Sequence, residues 1–297
     1  MRISHSGLTQ STIDQLQRRL SELQDRQGQL ASGTRLQRPS DDPSGMNRAL
    51  SLRHTSRAAE SQVQAADDGR TWLNLTDDLL QTGAQRLDRA LELAVRGASS
   101  LGEPEREAIA LEVEAVRDEL VDVANTRVRG RPIMAGTSDA DPVAQVGGDW
   151  VYQGNDTDVT RRVSDSERVR VDVTAAEAFG VTPGGDPDNA FTELDALAQA
   201  LRDDDGAAVQ AAIDTLGGQR DQLLGELARV GAATNQVDSA KNRAELRMES
   251  VRTELSSIED VDLAEAVTEV QTAEVAYQAA LGATSRVLQP SLVDYLS

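Results

Sequence analysis

Apolar residues recur at helical spacing through most of the chain and lose that period only in its middle. Near the N-terminus Ile13, Leu16, Leu20, Leu23 and Leu30 alternate steps of three and four, with polar Gln27 in one slot, which predicts a coiled-coil-like seam. Ser11 with Asp14 reads as the capping box of that helix and Gly33 as its stop. Ser40-Asp41-Asp42-Pro43 reads as a turn that opens a long second helix, along which Met46, Leu50, Val63, Leu73, Leu80, Leu87, Leu91 and Ala94 keep register. Gly69 inside it is expected to cost about 1 kcal/mol relative to alanine. Pro104, Glu105 and Glu107 open a third helix carrying Ile109, Val113, Val116, Leu120 and Val123, and the short connection before it predicts antiparallel packing.

From Gly130 the 3.6-residue period gives way to Gly, Pro, Asp and Thr. Trp150 to Tyr152, Val159 to Val163 and Val169 to Val173 read as short strands between turn residues. Asn189 restarts a helix with Phe191, Leu194, Leu197 and Leu201, which breaks at Asp203-Asp204-Asp205-Gly206. A long helix over about 207–257 follows, with Leu216, Leu223, Val230, Val237, Ala244 and Val251 in register. The last helix, about 263–287, presents Leu263, Val267, Val270, Ala273, Tyr277 and Leu281.

The layout is nested, so the two ends of the chain must meet for their stripes to be covered. The predicted fold class is mainly α with a β-rich insertion: an elongated nested helical bundle or coiled coil, N- and C-terminal helices paired, with a small central β domain. Three regions are expected. Residues 1–40 with 260–297 form a terminal coiled-coil assembly domain, residues 41–130 with 189–259 a helical bundle, and residues 131–188 a small β-rich outer domain. Two paired helices cover one narrow stripe, and burying a large apolar side chain contributes about 1.5 to 3 kcal/mol. The expected assembly interface is therefore Ile13, Leu16, Leu20, Leu23, Leu30, Leu263, Val267, Val270, Tyr277, Leu281, Val287 and Leu292.

Composition sharpens this picture. Aromatics are only 2% of the chain, too few for one thick core of this size and in keeping with thin cores between helices. A net charge of -20 argues against a nucleic-acid partner, which needs a cationic surface. The absence of cysteine excludes disulfides, thiolate catalysis and cysteine-ligated zinc. No run approaches the roughly 20 apolar residues of a membrane helix, so no membrane insertion is expected. Arg2, Asp14, Arg18 and Arg19 interrupt the N-terminus, which lacks the apolar core of a cleaved secretory signal.

Candidate chemistry is sparse. His5 and His54 lie apart, with no carboxylate at helical spacing to complete a metal pair, and read as surface residues. The loop pairs Asp139/Asp141, Asp156/Asp158 and Asp186/Asp188 lack the glycine and closing glutamate of a calcium loop and read as solvated turn residues. The glycine pairs at 147–148 and 184–185 match no phosphate-binding fingerprint. No catalytic residue, cofactor or metal is expected.

The motifs carry a resemblance. Leu30-Ala31-Ser32-Gly33-Thr34-Arg35-Leu36 followed by Pro39-Ser40-Asp41-Asp42-Pro43 is similar to the N-terminal signature of the flagellin family. Asp68-Gly69-Arg70-Thr71-Trp72-Leu73, Asn125-Thr126 before Gly130-Arg131, and Tyr152-Gln153-Gly154-Asn155 are similar to its later stations. Ala264-Glu265-Ala266, Gln271 and Ala276-Tyr277-Gln278-Ala279-Ala280-Leu281 lead similarly into Gln289-Pro290-Ser291-Leu292 and Tyr295-Leu296. Met1-Arg2-Ile3-Ser4 and the Gln-Pro-Ser-Leu tail resemble the junction-forming members more than those that build the filament. Arg131-Pro132-Ile133-Met134 departs from the family pattern, where an aromatic usually stands, so an altered first hairpin is expected there.

The resemblance implies a structural subunit at the junction of hook and filament, outside the cell on the bacterial flagellum. It implies export by the flagellar type III route without a cleaved signal peptide. The partners it implies are further copies of the chain, hook-associated protein 1, flagellin and an export chaperone. The alternatives are a filament-forming flagellin and, from another class, a calcium-binding or hydrolytic protein using the central acidic loops.

Overall fold

The computed structural model describes residues 5–99 and 102–288, with side-chain surroundings over 10–99 and 102–285. Met1-Arg2-Ile3-Ser4, the tail from Gln289 with Leu292, and the side chains of His5, Leu8 and Val287 lie outside the described residues. The fold is mainly helical, with α1 (His5–Ser32), α2 (Pro43–Gly97), α3 (Glu103–Ala124), α4 (Ala175–Phe179), α5 (Ala190–Arg202), α6 (Gly206–Glu259) and α7 (Leu263–Leu288). Between α3 and α4 stand β1 (Arg127–Val128), β2 (Arg131–Pro132), β3 (Val143–Val146), β4 (Asp149–Tyr152), β5 (Thr160–Arg162) and β6 (Arg168–Arg170). The strands form three separate antiparallel hairpins.

Contacts divide the chain into two compact units, Met1–Ala58 with Arg247–Ser297, and Ala59–Leu246. Sequence spacing expected boundaries near 40 and 260 and a separate block at 131–188. Residues 131–188 lie inside the second unit, where their apolar side chains join the core of the helices.

In the second unit the buried positions of α2 and α6 repeat every seven residues. Ala59, Ala66, Leu73, Leu80, Leu87 and Ala94 are buried on one helix, and Leu216, Leu223, Val230, Val237 and Ala244 on the other. Such a strict heptad keeps one stripe facing inward along the whole helix. Lys241 reaches Asp67 at 2.6 Å and Arg70 reaches Asp238 at 3.4 Å, while Arg220 pairs with Asp88, so the two helices run antiparallel. The α3 helix packs antiparallel on α5, with Arg202 on Glu107 at 3.0 Å and Glu114 at 2.8 Å, and Arg117 on Asp195. Phe179 and Phe191, both fully buried with ring centres 5.5 Å apart, lie in this core.

Gly69 is a contact requirement as well as a helix weakener. A Cβ there would stand 3.3 Å from the Arg161 side chain and 3.4 Å from that of Val171, so the bare backbone of α2 receives the β5–β6 hairpin. The predicted strands appear as β4, β5 and β6, the last two shortened. The first hairpin, β1–β2, is intact despite its unusual sequence, and Ile133 and Met134, just after it, are fully buried.

Two expectations are corrected. The first helix does not begin at a Ser11 cap, because it is already helical at His5 and Asp14 accepts from Gln10 Nε2 at 3.2 Å along the same face. The short α4 was missed, although Thr174-Ala175-Ala176-Glu177 with Gly180 spells a complete capping box and a left-handed stop.

Candidate assembly interface

The first unit is built on α1 and α7, which pack against each other, as the nested layout requires. Asp42 fixes the entry to α2. Its Oδ1 accepts from the backbone N–H of Ser44 at 3.1 Å and Gly45 at 2.9 Å, and chiefly the Gly45 bond holds its carboxyl below the ordinary value. Asp262 caps α7 in the same way, through Ala264 N–H at 2.9 Å.

Between these caps lies a backbone clasp. Arg35 N–H donates to Glu259 O at 2.6 Å and Val261 N–H to Gly33 O at 3.1 Å, and Thr34 pairs with Asp260 as an isolated antiparallel bridge. Gly33, at φ +70, supplies the left-handed turn that ends α1 and aims the chain at this bridge. The side chain of Arg35 adds a bond to Ile258 O at 2.9 Å. Further along the pair, Arg26 meets Glu269 at 2.8 Å, so α1 and α7 run antiparallel from the clasp toward the chain ends.

The seam differs from the one drawn by counting large side chains. On α1, Leu23 is buried, and Ile13, Leu16 and Leu30 are half-buried. The slot assigned to Gln27 is filled instead by half-buried Arg26, whose charge is met by Glu269, while Gln27 is exposed. On α7 the shielded positions are Ala266, Val270, Ala273, Tyr277, Ala280 and Thr284, alternating steps of four and three. Four of these are small; Ala273 is among the positions the sequence pattern picks out, whereas Ala266, Ala280 and Thr284 give too weak a hydrophobic signal to stand out. The pattern is nonetheless present in the sequence, as alanines every seven residues at 266, 273 and 280.

Val270 and Tyr277 thus fall on the seam, and Leu263, Val267 and Leu281 stand beside it, 59%, 42% and 41% exposed. Leu20 is also exposed, and Val275, which the sequence pattern does not pick out, is the most exposed large apolar residue of the pair among those described, at 65%. A groove of about 650 Å3 lies between the helices, lined by Ala264, Ala273 and Ala276 and by Arg19, Arg26, Glu265 and Glu269.

Elsewhere, two of the three acidic loops have a carboxylate paired with an arginine of the same chain. Asp141 meets Arg127 at 2.8 Å, and Asp158 meets Arg170 at 3.0 Å. Among the described residues no three His, Cys, Asp or Glu side chains gather as a metal would need. Arg170 also bonds Asp172 and both oxygens of Glu177. Burial pushes Asp172 above the ordinary carboxylate value despite this pairing. Burial also works against ionisation of Glu177, but the Arg170 and Thr174 hydrogen bonds outweigh it and hold that group below the ordinary value.

A helical body whose paired end helices leave aliphatic side chains uncovered defines a class, that of structural subunits that assemble. The chain belongs to the flagellin family: the bacterial flagellin N-terminal helical region matches residues 3–139 and the C-terminal helical region residues 213–296. It is similar to flagellar hook-associated protein 3 of Salmonella typhimurium, 28% identical over 79% of this chain and 80% of that one. It is also similar to a flagellin of Bacillus subtilis, 23% identical over 91% and 90% of the two chains. Among solved structures, a putative flagellar hook-associated protein from Vibrio parahaemolyticus has the same fold, with a TM-score of 0.69 and 21% identity over 74% of this chain and 100% of that one. The flagellar junction protein FlgL from Legionella pneumophila shares it too, with a TM-score of 0.60 and 15% identity over 71% and 99%.

Proposed function

We propose that this chain is a structural subunit of the bacterial flagellum that joins hook to filament. The observation that carries this reading is its likeness, over about four-fifths of both chains, to a relative named flagellar hook-associated protein 3. Its partners are then other copies of itself, hook-associated protein 1 on the hook side, flagellin on the filament side, and an export chaperone before assembly. It acts by position and contact, without catalysis. The exposed side chains of Leu20, Leu263, Val267 and Leu281, with Val275, are the surface it offers to neighbours.

Antibody labelling of intact flagella tests the assignment. A single labelled point at the proximal end of each filament is expected, and label along the whole length would overturn it in favour of a filament subunit. That second reading has its own support in the likeness to the Bacillus subtilis flagellin, which spans more of this chain.

A further inference from the structure

Two non-glycine residues among those described have positive φ, Arg129 at 53° and Asp204 at 58°. This left-handed conformation suits glycine or asparagine, and an arginine in it is unusual. Both are exposed, in turns, and of opposite charge. Arg129 forms the β1–β2 turn with Gly130, just past the C-terminal end of α3. Asp204 lies at the other end of that helix, 3.3 Å from Arg106 in its first turn. Twenty-two residues of α3 separate the two sites by about 33 Å, several times the screening length of physiological salt.

The charge at each end is only partly met within the chain. Arg127 of the hairpin is taken up by Asp141, but Arg129 and Arg131 have no carboxylate partner among the described residues. Arg131 lies 5.8 Å from the ring centre of Trp72, and its Nε is buried with no acceptor. At the far end the run Asp203-Asp204-Asp205 has three carboxylates and one cation, Arg106, against it. Asp205 already accepts from the N–H groups of Ala207 and Ala208, each at 3.0 Å, and Arg131 lies against Trp72. Exposed Arg129 at one end and exposed Asp203 at the other therefore carry charge that no ion pair among the described residues meets, on a chain whose net charge of -20 would otherwise keep copies apart.

We propose that neighbouring copies of this chain meet end to end in a staggered row, the arginine hairpin 127–131 of one against the aspartate turn 203–205 of the next. Such a contact joins two different patches, so it repeats around a ring or helix and does not close on a pair. This rests on the assembly reading above and names the contact between copies within it.

The cysteine-free chain makes a direct test possible. Arg129→Cys and Asp203→Cys together are too far apart within one chain for a disulfide, which needs Cα atoms within about 7 Å. Oxidation of intact flagella carrying this double variant should give a ladder of covalent multimers of the chain, and Arg129→Cys with Arg168→Cys should not. A double variant that enters the flagellum and gives no ladder overturns the proposal. The second arm exchanges charge: Arg129→Asp or Asp203→Arg alone should lower incorporation at least fivefold, and the two together should restore it to within twofold. Incorporation unchanged in every variant, or no restoration, overturns the contact and leaves the assembly reading intact. Absence of the unaltered chain from flagella defeats both.

Discussion

At the scale of single residues, the strongest constraints are where the backbone of one segment touches another. Gly136 combines φ +65 with a Cβ position 2.3 Å from the carbonyl oxygen of Asn155. Gly136→Ala should therefore cost about 2 kcal/mol or more in urea unfolding followed by tryptophan fluorescence. A change within experimental error would mean that the loop relaxes freely. Asp172 and Glu177 make a paired prediction. The folded pKa of Asp172 is raised, so its contribution to stability is full below about pH 3.8 and is lost as pH rises through the folded value. That of Glu177 is lowered, so its contribution is full above about pH 4.5 and is lost as pH falls through the folded value. Measured against the natural chain, Asp172→Asn should gain stability as pH goes from about 3.5 to 7 and Glu177→Gln should lose it. Slopes of the same sign in matched urea titrations would contradict this account.

At the scale of elements, the long helices were legible because their buried leucines and valines repeat every seven residues over several turns. Length compounds a weak signal. The β1–β2 hairpin and α4 are too short for any period to develop, and their evidence is local chemistry: Gly130 in a tight turn, Thr174 and Glu177 in a capping box. The terminal seam was half legible. Leu23 and Tyr277 lie on it, but Leu263, Val267 and Leu281 are large residues lying outside it, and alanines hold three of the six seam positions of α7. Counting large side chains finds apolar surface, and cannot say whether a helix in the same chain or another molecule covers it. This distinction separates two substitutions three residues apart. Leu23→Ala should lower the thermal midpoint of the α1–α7 pair in circular dichroism, by a cost of about 2 kcal/mol. Leu20→Asp should leave that midpoint nearly unchanged yet sharply reduce incorporation into flagella. Equal effects on melting would mean that Leu20 belongs to the internal seam.

At the scale of the whole molecule, the two units differ in what they need. The second contains both tryptophans, both phenylalanines and the continuous core, so residues 59–246 expressed alone should stay helical and unfold in one cooperative step. A fragment with no cooperative transition would mean that its core depends on the termini. Among the described residues, the first unit buries fewer apolar side chains than the second and exposes more large ones.

The clasp between Thr34 and Asp260 also sets a schedule. It joins residues that are far apart in sequence, and closing so long a loop in a disordered chain costs on the order of 5 kcal/mol in entropy. Folding of the second unit first brings residues 59 and 246 together through the antiparallel α2 and α6 and removes most of that cost. The terminal pair is then the last part to form, and it cannot form before residue 260 has arrived. A subunit wired this way withholds the surface of its terminal pair until residue 260 and the helix after it are present, so a copy that stops short of them lacks that surface.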